Sequence, residues 1–148
     1  MASNPHHSRS DEWDALLAPD VFVFDLDQTL VDSTCALALR KARAWSQVYP
    51  LIPRFRLYSG IQQLLELIGG FPIAVVTNSP QTYAERVLGH FGIKVDALVC
   101  YHDTKLHKPD PAPISLAIDR LRTSDKWTSM SERLALDATG RKPWIWGI

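Results

Sequence analysis

The sequence lacks a long hydrophobic run, a cysteine framework and a secretory leader, and each absence excludes a class of protein. No apolar run approaches the roughly 18 residues of a membrane-spanning helix, so no membrane association is expected. The two cysteines, Cys35 and Cys100, are too few for a disulfide framework and predict reduced thiols. Residues 1–19 carry no basic segment followed by an apolar core, unlike a secretory signal. We therefore expect a cytoplasmic protein.

Net charge is also absent. Sixteen Lys and Arg residues balance 16 Asp and Glu residues in a chain of 148 residues. Zero net charge argues against a protein that binds nucleic acid through bulk charge. The length predicts a single domain. Residues 1–19 are mostly polar and predict a flexible N-terminal tail, with the folded core at residues 20–148.

Short apolar segments alternate with segments of helical pattern. The apolar segments do not alternate with polar residues, which indicates strands that are buried on both faces, as in a parallel sheet. We expect strands at residues 21–24, 73–76, 97–100 and 144–148. We expect helices at residues 34–48, 61–68, 81–90 and 113–121, and shorter helices at 11–17 and 129–136. This order predicts an α/β fold, a three-layer α/β/α Rossmann-like parallel sheet.

Polar side chains follow the predicted strands where each strand ends. Asp25 and Asp27 follow the first strand, Thr77 and Asn78 follow the second, and Lys108 follows the third. The carboxyl ends of parallel strands meet at one edge of a sheet, so these side chains should converge. One carboxylate can attack while its neighbour carries a proton, and Mg²⁺ with oxygen ligands relieves their repulsion. A hydroxyl, an amide and an ammonium can hold phosphoryl oxygens.

Three short segments carry a resemblance to a known family. The sequence DLDQTLVDS at residues 25–33 resembles the first motif of the haloacid dehalogenase superfamily of hydrolases. TNSP at residues 77–80 resembles its second motif. KPDP at residues 108–111 resembles the third-motif lysine segment of the phosphoglycolate phosphatase-like branch. The resemblance covers residues 21–121 and rests on the three segments in this order.

The resemblance implies a role for each of these residues. Asp25 would be the nucleophile that forms an aspartyl-phosphate, and Asp27 the general acid and base. Thr77, Asn78 and Lys108 would bind the phosphorylated substrate, a small molecule or a macromolecule, with Lys108 also orienting Asp25. Mg²⁺ would bind the Asp25 carboxylate and the main-chain carbonyl of Asp27. The implied activity is a Mg²⁺-dependent phosphatase, because dehalogenases of this superfamily generally lack the second aspartate.

The sequence also departs from the family pattern. Gln28 stands where this branch commonly has glycine. The fourth motif, which carries acidic Mg²⁺ ligands after the fourth core strand, is missing, because the chain ends on residues 144–148. We therefore expect a truncated hydrolase with its last core strand incomplete. Only about residues 32–58 are available for a helical cap, so we expect a minimal cap. The resemblance to minimally capped members implies an open site that suits either a bulky substrate or a lid borrowed from another subunit of a homo-oligomer.

Other interpretations remain open at this point. The chain could be a catalytically silent binding or interaction domain, or an inactive fragment, that keeps the fold without the fourth motif. Residues 77–79 could cap a helix, which would not exclude phosphate binding. Lys105 competes with Lys108, although it lacks the following Pro-Asp-Pro.

Several further residues suit structural roles better than chemical ones. The basic residues Arg40, Lys41 and Arg43 are interpreted as the solvated face of a helix, and Arg54 and Arg56 are interpreted in the same way. Cys35 is interpreted as a small buried residue. The three histidines at positions 90, 102 and 107 have no metal-ligand spacing.

Overall fold

The computed structural model describes residues 21–129 and the backbone of residues 145–147. Its main sheet has four parallel strands in the order β5-β4-β1-β6. The strands are β1 at Val21–Phe24, β4 at Ile73–Val76, β5 at Ala97–Val99 and β6 at Ile145–Gly147. The predicted parallel sheet is confirmed, and the structure pairs its last strand, β6, with β1. The helix expected at residues 11–17 lies outside the described residues, as does nearly all of the helix expected at 129–136.

Helices cover both faces of this sheet, because consecutive side chains of a strand point to opposite sides. On one face, Val21 and Val23 of β1 share a core with Ala117 and Leu121 of helix α5, which spans Ala112–Leu121. The opposite face packs against helices α3 at Ile61–Leu67 and α4 at Gln81–His90. The result is the predicted three-layer α/β/α arrangement.

A second, two-stranded antiparallel sheet leaves the main sheet directly after β1. It joins β2 at Val31–Asp32 to β3 at Arg56–Leu57. No sequence pattern indicated it, since two residues are too few to show a periodicity. The chain between these strands forms a compact cap segment, which we define as residues 33–55. It contains two short helices, α1 at Leu37–Lys41 and α2 at Trp45–Val48, flanked by 3-10 turns at Thr34–Ala36 and Tyr49–Arg54.

The prediction of a single helix at residues 34–48 is therefore wrong. Helix α1 ends in a Schellman motif, in which the Ala44 N–H donates to Leu39 O and the Arg43 N–H donates to Arg40 O. Arg43 occupies the left-handed position of that motif with φ 55°. Glycine usually fills this position. Because position 43 is arginine, the sequence pattern gave no indication that the helix ends here. A left-handed conformation costs a non-glycine residue roughly 1–2 kcal/mol.

The cap segment packs on the core through aromatic and aliphatic side chains. Val48, Ile52 and Phe55 are buried in the same core as Tyr83 of α4. The Tyr83 ring lies 5.4 Å from the Trp45 ring and 6.4 Å from the Phe55 ring, between centroids. Tyr83 is thus the point at which the cap segment and the main fold meet. No helix among the described residues is long and apolar enough to cross a membrane.

Candidate active site

The candidate site lies at the carboxyl edge of the main sheet, where β1 and β4 end side by side. Asp25 follows the last residue of β1, and its Oδ1 accepts the Leu26 N–H at 2.8 Å. Lys108 Nζ lies 2.7 Å from the same Asp25 Oδ1 and donates to the carbonyl oxygen of Val76, the last residue of β4, at 2.8 Å. None of the described residues donates a hydrogen bond to Asp25 Oδ2. One carboxylate oxygen is therefore fixed and the other is left for chemistry.

Asp27 is held in a different way. Its Oδ1 accepts hydrogen bonds from Ser33 Oγ and Tyr83 Oη, both at 2.6 Å. Its Oδ2 accepts one from Ser79 Oγ at 3.1 Å and lies 2.6 Å from Arg40 Nη2. The side chain is only 9% exposed. Each carboxylate oxygen thus meets two donors, which fixes the orientation of the carboxylate.

Tyr83 serves this network as a permanent donor. Burial raises its pKa, and the charge of Asp27 and the hydrogen bond to Asp27 raise that pKa further. The phenol therefore keeps its proton across the physiological range. Its ring also lies beneath Arg40, whose guanidinium carbon is 5.2 Å from the ring centroid.

The segment after β4 forms the wall opposite Asp25. Thr77 is buried and its Oγ1 accepts the Ser79 N–H at 3.1 Å, while Asn78 Nδ2 donates to Lys108 O at 3.4 Å. The alternative that these side chains cap α4 is wrong, because the capping position is Pro80 and no side chain caps the helix there.

A single cavity collects the residues singled out from the sequence. Its volume is about 310 Å³. Its wall contains all five predicted residues, Asp25, Asp27, Thr77, Asn78 and Lys108. The remaining wall residues are Gln28, Leu37, Arg40 and Ser79. Side chains from the ends of separate strands therefore converge on one cavity, as predicted.

Sequence reasoning missed Arg40. Its side chain is 15% exposed and points to Asp27, so its interpretation as part of a solvated helix face is wrong. Arg40 follows Asp27 by 13 positions, and this spacing does not indicate a contact between them unless it is known that the helix ends before Arg43. Arg43 is exposed, as expected, and its guanidinium carbon lies 5.6 Å from the Tyr101 ring centroid.

Cys35 and Gln28 were also singled out from the sequence. Cys35 is exposed, so its interpretation as a small buried residue is wrong. It lies in the 3-10 turn at Thr34–Ala36, where only Ala36 is buried. Gln28 has φ 61°, a conformation that glycine adopts without strain, and its Oε1 accepts the Tyr58 hydroxyl at 2.8 Å.

The loop after β5 is held by a separate ion pair. Asp103 Oδ2 accepts the Cys100 N–H at 2.6 Å, and its Oδ1 lies 3.1 Å from Arg120 Nη2. Although partial burial opposes the shift, the hydrogen bonds from Arg120 and from the Cys100 backbone lower the pKa of Asp103. Burial and the nearby charges of Asp103 and Glu85 raise the pKa of the Cys100 thiol to about 12. These contacts fix the loop that precedes Lys108.

The donor set at the cavity fits Mg²⁺ as this ion is bound in phosphoryl-transfer sites. The described residues contain no group of three or more His, Cys, Asp and Glu side chains that could hold a metal ion. Mg²⁺ commonly uses one or two protein carboxylates there, with waters and substrate phosphate as its other ligands. The Asp25 carboxylate, with one oxygen outside the Lys108 pair, and the main-chain carbonyl of Asp27 are oxygen donors of that kind.

Comparison with known proteins shows the family and supports the fold. Residues 40–132, more than half of the chain, match the model of the haloacid dehalogenase-like hydrolases. The chain therefore belongs to that hydrolase family. The match includes Thr77 and Lys108, whereas Asp25 and Asp27 precede it. No curated protein matches the sequence significantly.

Solved structures share the fold at low sequence identity. A Lactobacillus plantarum protein, provisionally assigned as a phosphoglycolate phosphatase, superposes with a TM-score of 0.63 at 17% identity, over 89% of this chain and 95% of its own. CbbY of Rhodobacter sphaeroides, solved in complex with phosphate, superposes with a TM-score of 0.61 at 18% identity, over 72% of this chain and 74% of its own. A CbbY variant was solved in complex with xylulose-1,5-bisphosphate; it has a TM-score of 0.60 and 18% identity, over 70% of this chain and 73% of its own.

Proposed function

We propose that this protein is a phosphatase that hydrolyses a phosphate monoester through a covalent phosphoryl group on Asp25. The observation that carries the proposal is the contact of Lys108 Nζ with Asp25 Oδ1 at 2.7 Å, at the carboxyl end of the central strand. The contact holds Oδ1 in place, Asp25 lines the cavity, and we assign Oδ2 as the nucleophile. Family membership supports hydrolysis as the reaction class.

In the proposed reaction, Asp25 Oδ2 attacks the phosphorus of the substrate and the bond to the leaving oxygen breaks. Asp27, in its protonated form, gives a proton to that leaving oxygen. Water then attacks the phosphorus of the aspartyl-phosphate, Asp27 accepts a proton from it, and inorganic phosphate leaves with Asp25 restored. The Lys108 ammonium offsets negative charge on Asp25 and on the phosphoryl oxygens.

Thr77 and Asn78 take the role of phosphoryl-binding residues in this proposal. Both side chains line the cavity beside Asp25 and Lys108. When bound through the Asp25 carboxylate and the Asp27 carbonyl, Mg²⁺ would supply positive charge to the phosphoryl oxygens. The cavity volume of about 310 Å³ accommodates a small phosphorylated molecule or the phosphorylated end of a larger one.

The proposal is tested by assaying a panel of phosphate monoesters with Mg²⁺, for the parent protein and for Asp25→Asn. We expect turnover by the parent and loss of all detectable turnover in the variant, with unchanged circular dichroism. Asp119→Asn is the matched control, because Asp119 lies on α5 with a side chain that is 67% exposed. Equal turnover in Asp25→Asn would contradict the proposal. Absence of turnover in the parent would favour the silent binding domain instead.

A further inference from the structure

The Arg40 side chain contacts four residues of the candidate site: Asp27, Ser33, Ser79 and Tyr83. No family motif or comparison assigns it a role. Its Nη2 lies 2.6 Å from Asp27 Oδ2 and donates to Ser79 Oγ at 3.2 Å. Its Nη1 donates to Ser33 Oγ at 3.1 Å. Ser33 and Ser79 in turn donate to the two oxygens of Asp27. The guanidinium therefore reaches Asp27 directly and through both of its serine partners.

The planar shape of the guanidinium makes this geometry possible. Two nitrogens of the fork donate to different partners, Nη1 to Ser33 Oγ and Nη2 to Ser79 Oγ, whereas an ammonium is a single point of charge with no such fixed fork. The Tyr83 ring supports the guanidinium from below at 5.2 Å, and the Tyr83 hydroxyl donates to Asp27 Oδ1 at 2.6 Å. Arg40 and Tyr83 thus hold the carboxylate from its two opposite oxygens.

The elements that carry these donors come from separate parts of the chain. Arg40 lies on α1 of the cap segment, whereas Tyr83 lies on α4 of the main fold. Asp27 follows β1, between the two. The orientation of the Asp27 carboxylate consequently depends on how the cap segment packs against the main fold.

From these contacts we infer that Arg40 is a positioning residue. With Tyr83, it fixes the Asp27 carboxylate at the cavity wall, so that the cap segment determines whether Asp27 can exchange a proton with the leaving group. The inference rests on the proposed phosphatase function. It adds a residue outside the family motifs and a dependence on the cap segment.

Substrates with different leaving groups distinguish a positioning role of Arg40 from substrate binding and from a purely structural role. An alkyl phosphate has a poor leaving group that needs a proton, whereas an aryl phosphate such as p-nitrophenyl phosphate has a leaving group that departs without one. Displacement of Asp27 should therefore slow the alkyl ester and spare the aryl ester. A substrate clamp would instead raise KM for both esters, and a structural defect would lower both rates together.

The test uses the full-length protein with Mg²⁺ and compares Arg40→Lys with Arg54→Lys, an identical change at an exposed arginine of the cap segment. We expect Arg40→Lys to lower kcat/KM for an alkyl phosphate about 10- to 100-fold, since misplacement by about 1 Å costs on that order. We expect KM to be unchanged and kcat/KM for p-nitrophenyl phosphate to change less than about threefold. Arg54→Lys should match the parent with both esters. Tyr83→Phe, which keeps the packing and removes only the hydroxyl, should show the same selectivity as Arg40→Lys.

Crystal structures of the parent, Arg40→Lys and Arg54→Lys provide a readout that needs no activity. We expect the Asp27 carboxylate to leave its position only in Arg40→Lys. An unmoved Asp27 in that variant overturns the inference, as does a rise in KM with both esters, an equal loss with both esters, or a gain with the alkyl ester. If the parent shows no phosphatase activity, the proposed function fails, and the position of Asp27 in the crystals still decides the role of Arg40.

Discussion

The Lys108 ammonium lies 2.7 Å from Asp25 Oδ1 and 2.8 Å from the carbonyl oxygen of Val76. It therefore connects the ends of two neighbouring parallel strands, β1 and β4, to the loop that follows β5. The side chain is partly buried, so solvent screens this pair less than a surface pair. The contact fixes one oxygen of Asp25, and in the proposed reaction the other oxygen attacks the substrate.

Replacing Lys108 with methionine should lower kcat about 100- to 1,000-fold, the effect measured for removing one preorganised electrostatic group from an active site. Lys105→Met is the control, because Lys105 is exposed and lies three positions earlier in the same loop. Steady-state kinetics with one substrate measures both variants. An equal loss in the two variants would assign the effect to the loop in general and not to Lys108.

The stability of the fold should depend on the side chains that α5 packs against the sheet. Leu121 is fully buried against the sheet, so Leu121→Ala should lower the free energy of unfolding by about 2–5 kcal/mol. Leu67 is 81% exposed, and Leu67→Ala should change the free energy of unfolding by less than about 0.5 kcal/mol. Urea denaturation measures both values. A small effect at Leu121 would show that α5 does not pack on the sheet as described.

The two thiols should react at very different rates. Cys35 is exposed, whereas burial raises the pKa of Cys100 to about 12. Because the thiolate is the reactive form, Cys100 stays protonated and shielded at pH 8. We expect iodoacetamide to label one cysteine in the native protein and both after denaturation, as counted by mass spectrometry. Rapid labelling of Cys100 in the native protein would contradict the described burial.

The Asp103–Arg120 pair predicts a pH dependence of stability. The folded pKa of Asp103 is lowered from its ordinary value of 3.8, so its stabilising contribution is fully present above that value. The contribution is lost as the pH falls through the folded pKa. Asp103→Asn should therefore cost about 1 kcal/mol at pH 7 and progressively less in acid. Thermal melts of both proteins across this pH range measure the difference, and a constant difference would contradict the assignment.

The strands and long helices could be predicted because their patterns are local. The apolar runs at residues 21–24 and 73–76 carry their own signal, and Pro113 in the first turn of α5 indicated where that helix begins. The site residues Asp25, Thr77 and Lys108 could be predicted because polar residues at the ends of parallel strands converge.

The cap segment could not be predicted in the same way. Its conformation depends on Arg43 taking a left-handed conformation without glycine, which no local pattern shows. The pairing of Val31 with Leu57 joins residues 26 positions apart, and sequence periodicity does not report such contacts. Arg40 was missed for the same reason, since its contact with Asp27 depends on how the cap segment folds back.

The covalent phosphoryl group on Asp25 can be sought directly. The protein is mixed with a phosphate monoester and Mg²⁺, quenched in acid within one turnover, and digested, and the phosphoryl group is located by mass spectrometry. We predict that it lies on Asp25 in the parent and that Asp25→Asn forms none. Steady hydrolysis with no phosphorylated protein, or a phosphoryl group on a different residue, would contradict nucleophilic attack by Asp25.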